Sequence, residues 1–156
     1  LIGGGAESYE KELHQMAALC PNRNIRFCGF VDGKEKYHLL ASLTALCVPS
    51  LQENFGMTVL ESLAMETPVI ASKTTPWEEL ESEDCGWWVN NDPQSLAETI
   101  LNVLNLSEED RSRMGKNGKK LLFRKYHADV VTRKMIDLYH WVTTGESLPE
   151  FVEIEK

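Results

Sequence analysis

Several features are absent from this sequence. It has no apolar run near the roughly 18 residues that a membrane-spanning helix needs, and no basic-then-apolar leader of the kind that directs secretion. Its 16 basic residues are outnumbered by 24 acidic ones, and a net charge of −8 disfavours binding to nucleic acid. The four cysteines form no Cys-x-x-Cys pair, so we expect reduced thiols rather than a zinc site, with Cys28 and Cys47 buried. These absences favour a cytoplasmic protein.

The 156 residues, 42% of them hydrophobic, suffice for one globular domain with its own core. Apolar spacing alternates between strand and helix, which predicts an α/β fold with a Rossmann-like parallel sheet and helices on both faces. Ligands of such sheets bind at the carboxyl ends of the strands, here the loops from Gly3, Gly29, Pro49 and Ser72. The predicted helices cover 8–20, 34–42, 56–66, 93–104, a segment after Ser107, and 129–142, and the predicted strands cover 25–28, 45–48, 68–71 and 87–89.

The first residues predict the end of a strand followed by a glycine turn. Leucine does not initiate translation, so we expect the sequence to begin inside a longer protein. The run from Gly3 to Ser8 nearly spells the dinucleotide fingerprint, but Ser8 stands where its last glycine belongs, and the expected acidic residue downstream is missing. A tight turn is therefore favoured over a dinucleotide site, although its amides would suit a phosphate.

The segment from Pro49 to Glu61 is more informative. It follows an apolar strand, predicted to be buried on both faces, and opens a helix at Gly56. The unpaired N–H groups of a helix start favour an anion by geometry and by dipole. Glu53 precedes this helix and Glu61 lies inside it. Pattern alone favours a plain solvated face made of Thr58, Glu61, Ser62 and Glu66.

The two glutamates, separated by seven residues that include Phe55-Gly56, resemble the E-x7-E signature of the retaining group 1 glycosyltransferases, which have the GT-B architecture. The resemblance extends in the right order over roughly residues 1–142. One departure is Thr74–Glu78, where the family often has Gly-Gly-x-Pro-Glu. Further matching segments are Leu1–Gly5, Arg26–Val31, Val48–Ser50, Thr67–Ser72, Gly86–Val89 and Asp92-Pro93.

The resemblance implies that residues 1–142 are the donor-binding, C-terminal half of a GT-B enzyme, truncated at its N-terminus, and that 143–156 form an acidic tail. In this family Glu53 would contact the donor sugar as the catalytic candidate, Glu61 would bind the ribose, and the loop at Phe30 would hold the base. The family's cationic diphosphate ligands would lie upstream of Leu1. The expected donor-binding residues are Phe30, Glu53, Phe55, Gly56, Met57, Thr58 and Glu61.

The function that the resemblance implies is transfer of a sugar from a nucleoside-diphosphate sugar to an acceptor with retention, in surface polysaccharide or lipopolysaccharide synthesis. We expect no cofactor and no metal, since the sequence has no Asp-x-Asp pair. The expected partner is an N-terminal acceptor-binding domain, which would make any contact with the inner face of the membrane. This chain alone would be inactive. Two alternatives are a sugar-nucleotide epimerase of the same architecture and a non-catalytic nucleotide-binding domain.

Overall fold

The computed structural model describes residues 1–21 and 24–153, which belong to two compact units, Leu1–Leu39 and Leu40–Lys156. Among the described residues no helix is long and apolar enough to cross a membrane. The helices are α1 (Glu7–Leu19), α2 (Gly33–Ala41), α3 (Met57–Ala64), α4 (Glu79–Ser82), α5 (Pro93–Leu104), α6 (Glu108–Leu121) and α7 (Ala128–Thr144), with a π-helix at Leu122–Tyr126. The strands are β1 (Leu46–Val48), β2 (Val69–Ser72) and β3 (Gly86–Val89).

In the first unit, two extended segments lie side by side. The Gly3 N–H donates to the Gly29 carbonyl at 2.8 Å, and the Cys28 N–H donates to the Leu1 carbonyl at 2.9 Å. The glycine turn follows and leads directly into α1. The prediction of a strand at 25–28 is wrong. In the described part of the unit, these few backbone hydrogen bonds do not form a regular ladder.

The second unit contains a parallel three-stranded sheet in the order β1-β2-β3, flanked by helices. All four residues of β2 are buried, because it is the central strand. The prediction that β1 is buried on both faces is wrong. Cys47 in its middle is exposed, since among the described residues β1 pairs with β2 alone and forms an edge of this sheet.

The core of the second unit lies between the sheet and helices α3, α4 and α6. Two glycines allow backbones to approach closely there. A Cβ at Gly86 would stand 2.2 Å from the Val69 carbonyl oxygen, and one at Gly115 would stand 2.0 Å from that of Glu66. No larger residue fits either place without a backbone shift. The fully buried core residues include Val59, Leu63, Val69, Trp77, Leu80, Cys85 and Leu121.

Local sequence signals set the helix starts of the second unit. Asp92 caps α5 by accepting a hydrogen bond from the Ser95 N–H at 2.8 Å, with Pro93 in the first turn. The hydrogen bonds from the Ser95 N–H and hydroxyl hold the pKa of the Asp92 carboxyl below its usual range. Ser107 caps α6 through the Asp110 N–H at 3.0 Å. Both predicted helix starts are confirmed.

The cysteines are reduced in the structure, and they differ in exposure. Cys20, Cys28 and Cys47 are exposed, so the predicted burial of Cys28 and Cys47 is wrong. Cys85 is buried beside β3. Desolvation, with a smaller contribution from the Glu83 carboxylate, raises the pKa of the Cys85 thiol to about 12.

Candidate functional site

The segment between β1 and α3 turns sharply at Gly56. This residue has φ 84° and ψ 68°, in the left-handed region that glycine adopts without strain. A Cβ there would also lie 3.1 Å from Trp77 Nε1 and 3.3 Å from Glu53 Cγ. Gly56, the N-cap residue of α3, makes no side-chain cap bond. The first-turn amides of α3 are therefore not used by a cap side chain of this residue, and an anion is a suitable partner for them.

Around this helix start the chain gathers six of the seven predicted donor-binding residues. Glu53 is half-buried with its Cγ beside Gly56, and Glu61 is half-buried one turn inside α3. Met57 and Thr58 are exposed, and Phe55 is 37% exposed. Phe30 belongs to the first unit and is largely exposed, so its contact with the base stays a prediction.

The solvated-face interpretation of α3 fails at Ser62. This side chain is fully buried and donates a hydrogen bond to the Thr67 carbonyl at 3.1 Å. Thr67 in turn is buried and donates to the Leu40 carbonyl at 2.8 Å. Ser62 therefore anchors the C-terminal end of α3 in the core, whereas Thr58 is exposed and Glu61 is half-buried.

The other end of the candidate loop is fixed at the Ser50 carbonyl. It accepts hydrogen bonds from Ser72 Oγ at 2.6 Å, from Asn91 Nδ2 at 3.0 Å and from Thr74 Oγ1. These donors come from the carboxyl end of β2 and from the loops that follow β2 and β3. The loops that end the three strands therefore meet at one point, as parallel-sheet geometry predicts for a ligand site.

Near Gly56 the loop is fixed by an aromatic cluster. Trp77, fully buried, donates its Nε1–H to the Phe55 carbonyl. The rings of Phe55, Trp77 and Tyr126 lie with centroids 5.4 to 5.8 Å apart. Tyr126 donates to Glu79 Oε2 at 2.9 Å. Partial burial raises the pKa of the Tyr126 phenol, so it remains a protonated donor at neutral pH.

Sequence reasoning missed these supporting side chains. The departure at Thr74–Glu78 was visible in the sequence, but only the fold shows that Thr74 and Trp77 hold the two ends of the loop that carries Glu53. Tyr126 could not be found from spacing, since it lies more than 70 residues from Phe55 and reaches it through the π-helix.

The chemistry available here is anion binding beside hydroxyl binding. A helix start and its dipole favour an anion such as phosphate, and carboxylates such as those of Glu53 and Glu61 are hydrogen-bond acceptors suited to hydroxyl groups. In the described ranges, no three His, Cys, Asp or Glu side chains stand together as a metal-binding group.

The fold is the Rossmann-like α/β fold of GT-B glycosyltransferases. It is similar to the crystal structure of HepE from Anabaena in complex with UDP and glucose, with a TM-score of 0.77 and 22% identity over 90% of this chain and 39% of that chain. A family model described as glycosyl transferases group 1 matches residues 1–121. The chain therefore belongs to the group 1 glycosyltransferases.

Two curated relatives agree with this assignment. The GDP-mannose-dependent alpha-(1-6)-phosphatidylinositol dimannoside mannosyltransferase of Mycobacterium tuberculosis is 33% identical over 90 residues, 57% of this chain and 24% of that protein. An uncharacterized glycosyltransferase of Methanocaldococcus jannaschii is 32% identical over 127 residues, 78% of this chain and 32% of that protein. The chain spans between about a quarter and a third of the length of these relatives.

Proposed function

We propose that this chain is the donor-binding domain of a retaining glycosyltransferase that uses a nucleoside-diphosphate sugar. The observation that carries the proposal is the position of Glu53 beside Gly56 and of Glu61 one turn inside α3, around a helix start that Gly56 leaves without a side-chain cap. The ligands in the HepE complex, UDP and glucose, have the chemistry that such a site would bind.

Each residue has a distinct role in this proposal. The amides of Gly56, Met57 and Thr58 bind the diphosphate, with Phe55 supporting them from behind. Glu61 accepts hydrogen bonds from the ribose hydroxyls, and Glu53 accepts them from the donor sugar. The backbone at Phe30 holds the base.

Bond cleavage in this site depends on electrostatics. When the bond from sugar to phosphate breaks, its electron pair goes to the diphosphate oxygen, and negative charge develops there. Fixed amides at a helix start stabilise that charge where it forms, without reorganisation during the reaction. The Glu53 carboxylate lies on the sugar side, where positive charge develops.

The finer assignments are also proposals. We infer that transfer proceeds with retention and without a metal, that an N-terminal domain of the same protein binds the acceptor, and that the enzyme works in the cytoplasm on surface polysaccharide or lipopolysaccharide. An anomeric assignment of the product by NMR tests retention. Unchanged initial rates in the presence of a chelator test metal independence, and a loss restored by magnesium or manganese would contradict it.

The central test is a titration of UDP and GDP into the full-length protein and its glutamate variants. Glu61→Ala should weaken binding about ten- to a hundredfold, because hydrogen bonds to a charged group contribute about 1.5–3 kcal/mol. Glu53→Ala should leave nucleotide binding nearly unchanged and lower turnover of the sugar donor. Glu81→Ala, at an exposed position of α4, is the matched control and should change neither. Unaltered binding by a folded Glu61→Ala variant would refute the ribose role.

A second experiment separates the alternatives. Donor incubated without acceptor should at most be hydrolysed slowly by a transferase, whereas an epimerase would convert it to another sugar nucleotide. Full turnover by residues 1–156 alone would contradict the expectation that catalysis needs a separate acceptor domain.

A further inference from the structure

Trp77 is buried beneath the candidate donor site, yet none of the roles proposed above uses it. Its indole is 0% exposed and belongs to the loop between β2 and α4. The Nε1–H donates to the Phe55 carbonyl, the last carbonyl before Gly56. A Cβ at Gly56 would lie 3.1 Å from the same nitrogen, so the indole lies directly against the turn that starts α3.

We propose that Trp77 is a positioning residue that aims the Gly56 N–H at the donor diphosphate; this inference rests on the proposed function. The Phe55 carbonyl and the Gly56 N–H belong to one planar, trans peptide group and point in opposite directions. Holding the carbonyl against the buried indole therefore directs the N–H away from the core, to the side where an anion can approach.

An external hold matters at this position because glycine does not fix its own backbone. Gly56 has no Cβ, and many backbone conformations are open to it in the absence of neighbours. A hydrogen bond weakens steeply as its donor–hydrogen–acceptor angle falls toward about 120°. A rotated Phe55–Gly56 peptide would therefore bind the phosphate weakly.

Trp77 is itself held rigidly. Its ring packs 5.4 Å from the centroids of both Phe55 and Tyr126, and Tyr126 is tied to Glu79 at 2.9 Å. Glu79 also accepts a hydrogen bond from Lys125. The indole therefore transmits the position of α4 and the π-helix to the Phe55–Gly56 peptide.

The test compares UDP and GDP affinities of full-length wild-type protein and three variants, at a temperature where all are folded. Trp77→Phe keeps an aromatic ring but removes the donor, and it should weaken binding about five- to tenfold, the worth of one hydrogen bond. Tyr126→Phe keeps the ring that packs on Trp77 and loses only the bond to Glu79, so its loss of affinity should be smaller than that of Trp77→Phe. Val103→Ala removes buried volume in α5, and it should lower Tm without changing affinity.

A second measurement needs no variant. In wild-type protein with assigned NMR resonances, the Gly56 amide and the Trp77 indole N–H should both shift when UDP or GDP is added, because the two report on one peptide group. The positioning role is overturned if Trp77→Phe binds like wild type, or if neither resonance shifts on binding. If Glu61→Ala weakens binding and Trp77→Phe does not, only this inference fails. If wild type binds neither nucleotide, the proposed function fails and this inference with it.

Discussion

The two units of the chain make different use of similar helical patterns. Helix α1 in the first unit has 13 residues and buries none of them, with Tyr9, Met16 and Leu19 all more than half exposed. Helix α3 in the second unit has only eight residues but buries Val59, Ser62 and Leu63. Apolar spacing thus predicts that a helix forms, while burial depends on a sheet or helix to pack against.

The same contrast between the units applies to the candidate site. The candidate site residues that the structure brings together all belong to the second unit, where buried side chains hold the loop backbone at Ser50 and at Phe55. Pre-organisation of a binding loop requires such a packed support. The following four predictions compare matched changes in the two units, from the largest expected effect to the smallest.

A leucine truncation should show the largest difference. Leu80→Ala in α4 removes a fully buried side chain and should lower the free energy of unfolding by about 2–5 kcal/mol. Leu19→Ala removes a side chain that is 84% exposed and should change it by less than about 0.5 kcal/mol. Urea unfolding followed by tryptophan fluorescence measures both. Similar losses for the two variants would remove the distinction between the units.

A glycine substitution gives the next effect. Gly86→Ala places a methyl group 2.2 Å from the Val69 carbonyl oxygen and should cost about 1–3 kcal/mol as β2 and β3 are forced apart. Gly5→Ala meets no atom within 4 Å and should leave stability unchanged or raised by up to about 1 kcal/mol. The midpoint of thermal unfolding by circular dichroism is the measurement. A tolerated Gly86→Ala would contradict the close approach.

The helix starts allow one stabilising and one destabilising substitution: a cap can be removed from α6 and added to α1. Ser107→Ala removes the cap of α6 and should lower the free energy of unfolding by about 1 kcal/mol. Ala6, at the start of α1, has extended dihedral angles but offers no capping side chain. Ala6→Ser should therefore slow hydrogen exchange of the α1 amides by about fivefold, as expected for a cap worth about 1 kcal/mol. Unaltered exchange would show that the start of α1 does not limit its stability.

The smallest effect concerns exposed ion pairs. Lys119 donates to Glu66 at 2.7 Å and holds the pKa of that carboxyl below its usual value. A lowered folded-state pKa stabilises the fold at neutral pH, and this contribution is lost as the pH falls below about 4. Both side chains are about 40% exposed, so Lys119→Met should cost only about 0.3 kcal/mol at pH 7 and less at pH 3.

The matched control for this pair is in α1. Lys11→Met breaks the ion pair with Glu7, which has the same 2.7 Å separation but side chains 70% and 83% exposed. We expect a still smaller change there, because water screens the pair more fully. Urea unfolding at pH 7 and pH 3 checks both variants, and a pH-independent effect of Lys119→Met would contradict the assigned linkage.

The parts of the fold that sequence predicted well are those set by neighbouring residues. Asp92-Pro93 predicted the start of α5, and the apolar run at 68–71 predicted β2 to within one residue. The segment from Glu53 to Glu61 likewise forms the loop and helix start that its sequence predicts, because its glycine and both carboxylates are close in the chain.

Features that depend on distant partners were not predicted. The exposure of Cys47 follows from the edge position of β1, which strand composition does not reveal. Trp77 meets the Phe55 carbonyl from 22 residues away, and Asn91 meets that of Ser50 from 41 residues away. Hydrophobicity patterns report which face of an element is apolar, but they do not report which backbone atom a buried donor will reach.

Because the four cysteines differ in exposure, their alkylation can distinguish opening of the second unit from reaction at the folded surface. At neutral pH almost none of Cys85 is thiolate, since its pKa is raised to about 12, and only thiolate is alkylated. Its labelling by iodoacetamide therefore reports on opening of the second unit. Cys20 and Cys28 are exposed in the first unit and react from the folded state. Mass spectrometry of the labelled peptides then compares the labelling of Cys85 with that of Cys20 and Cys28 in the same molecule.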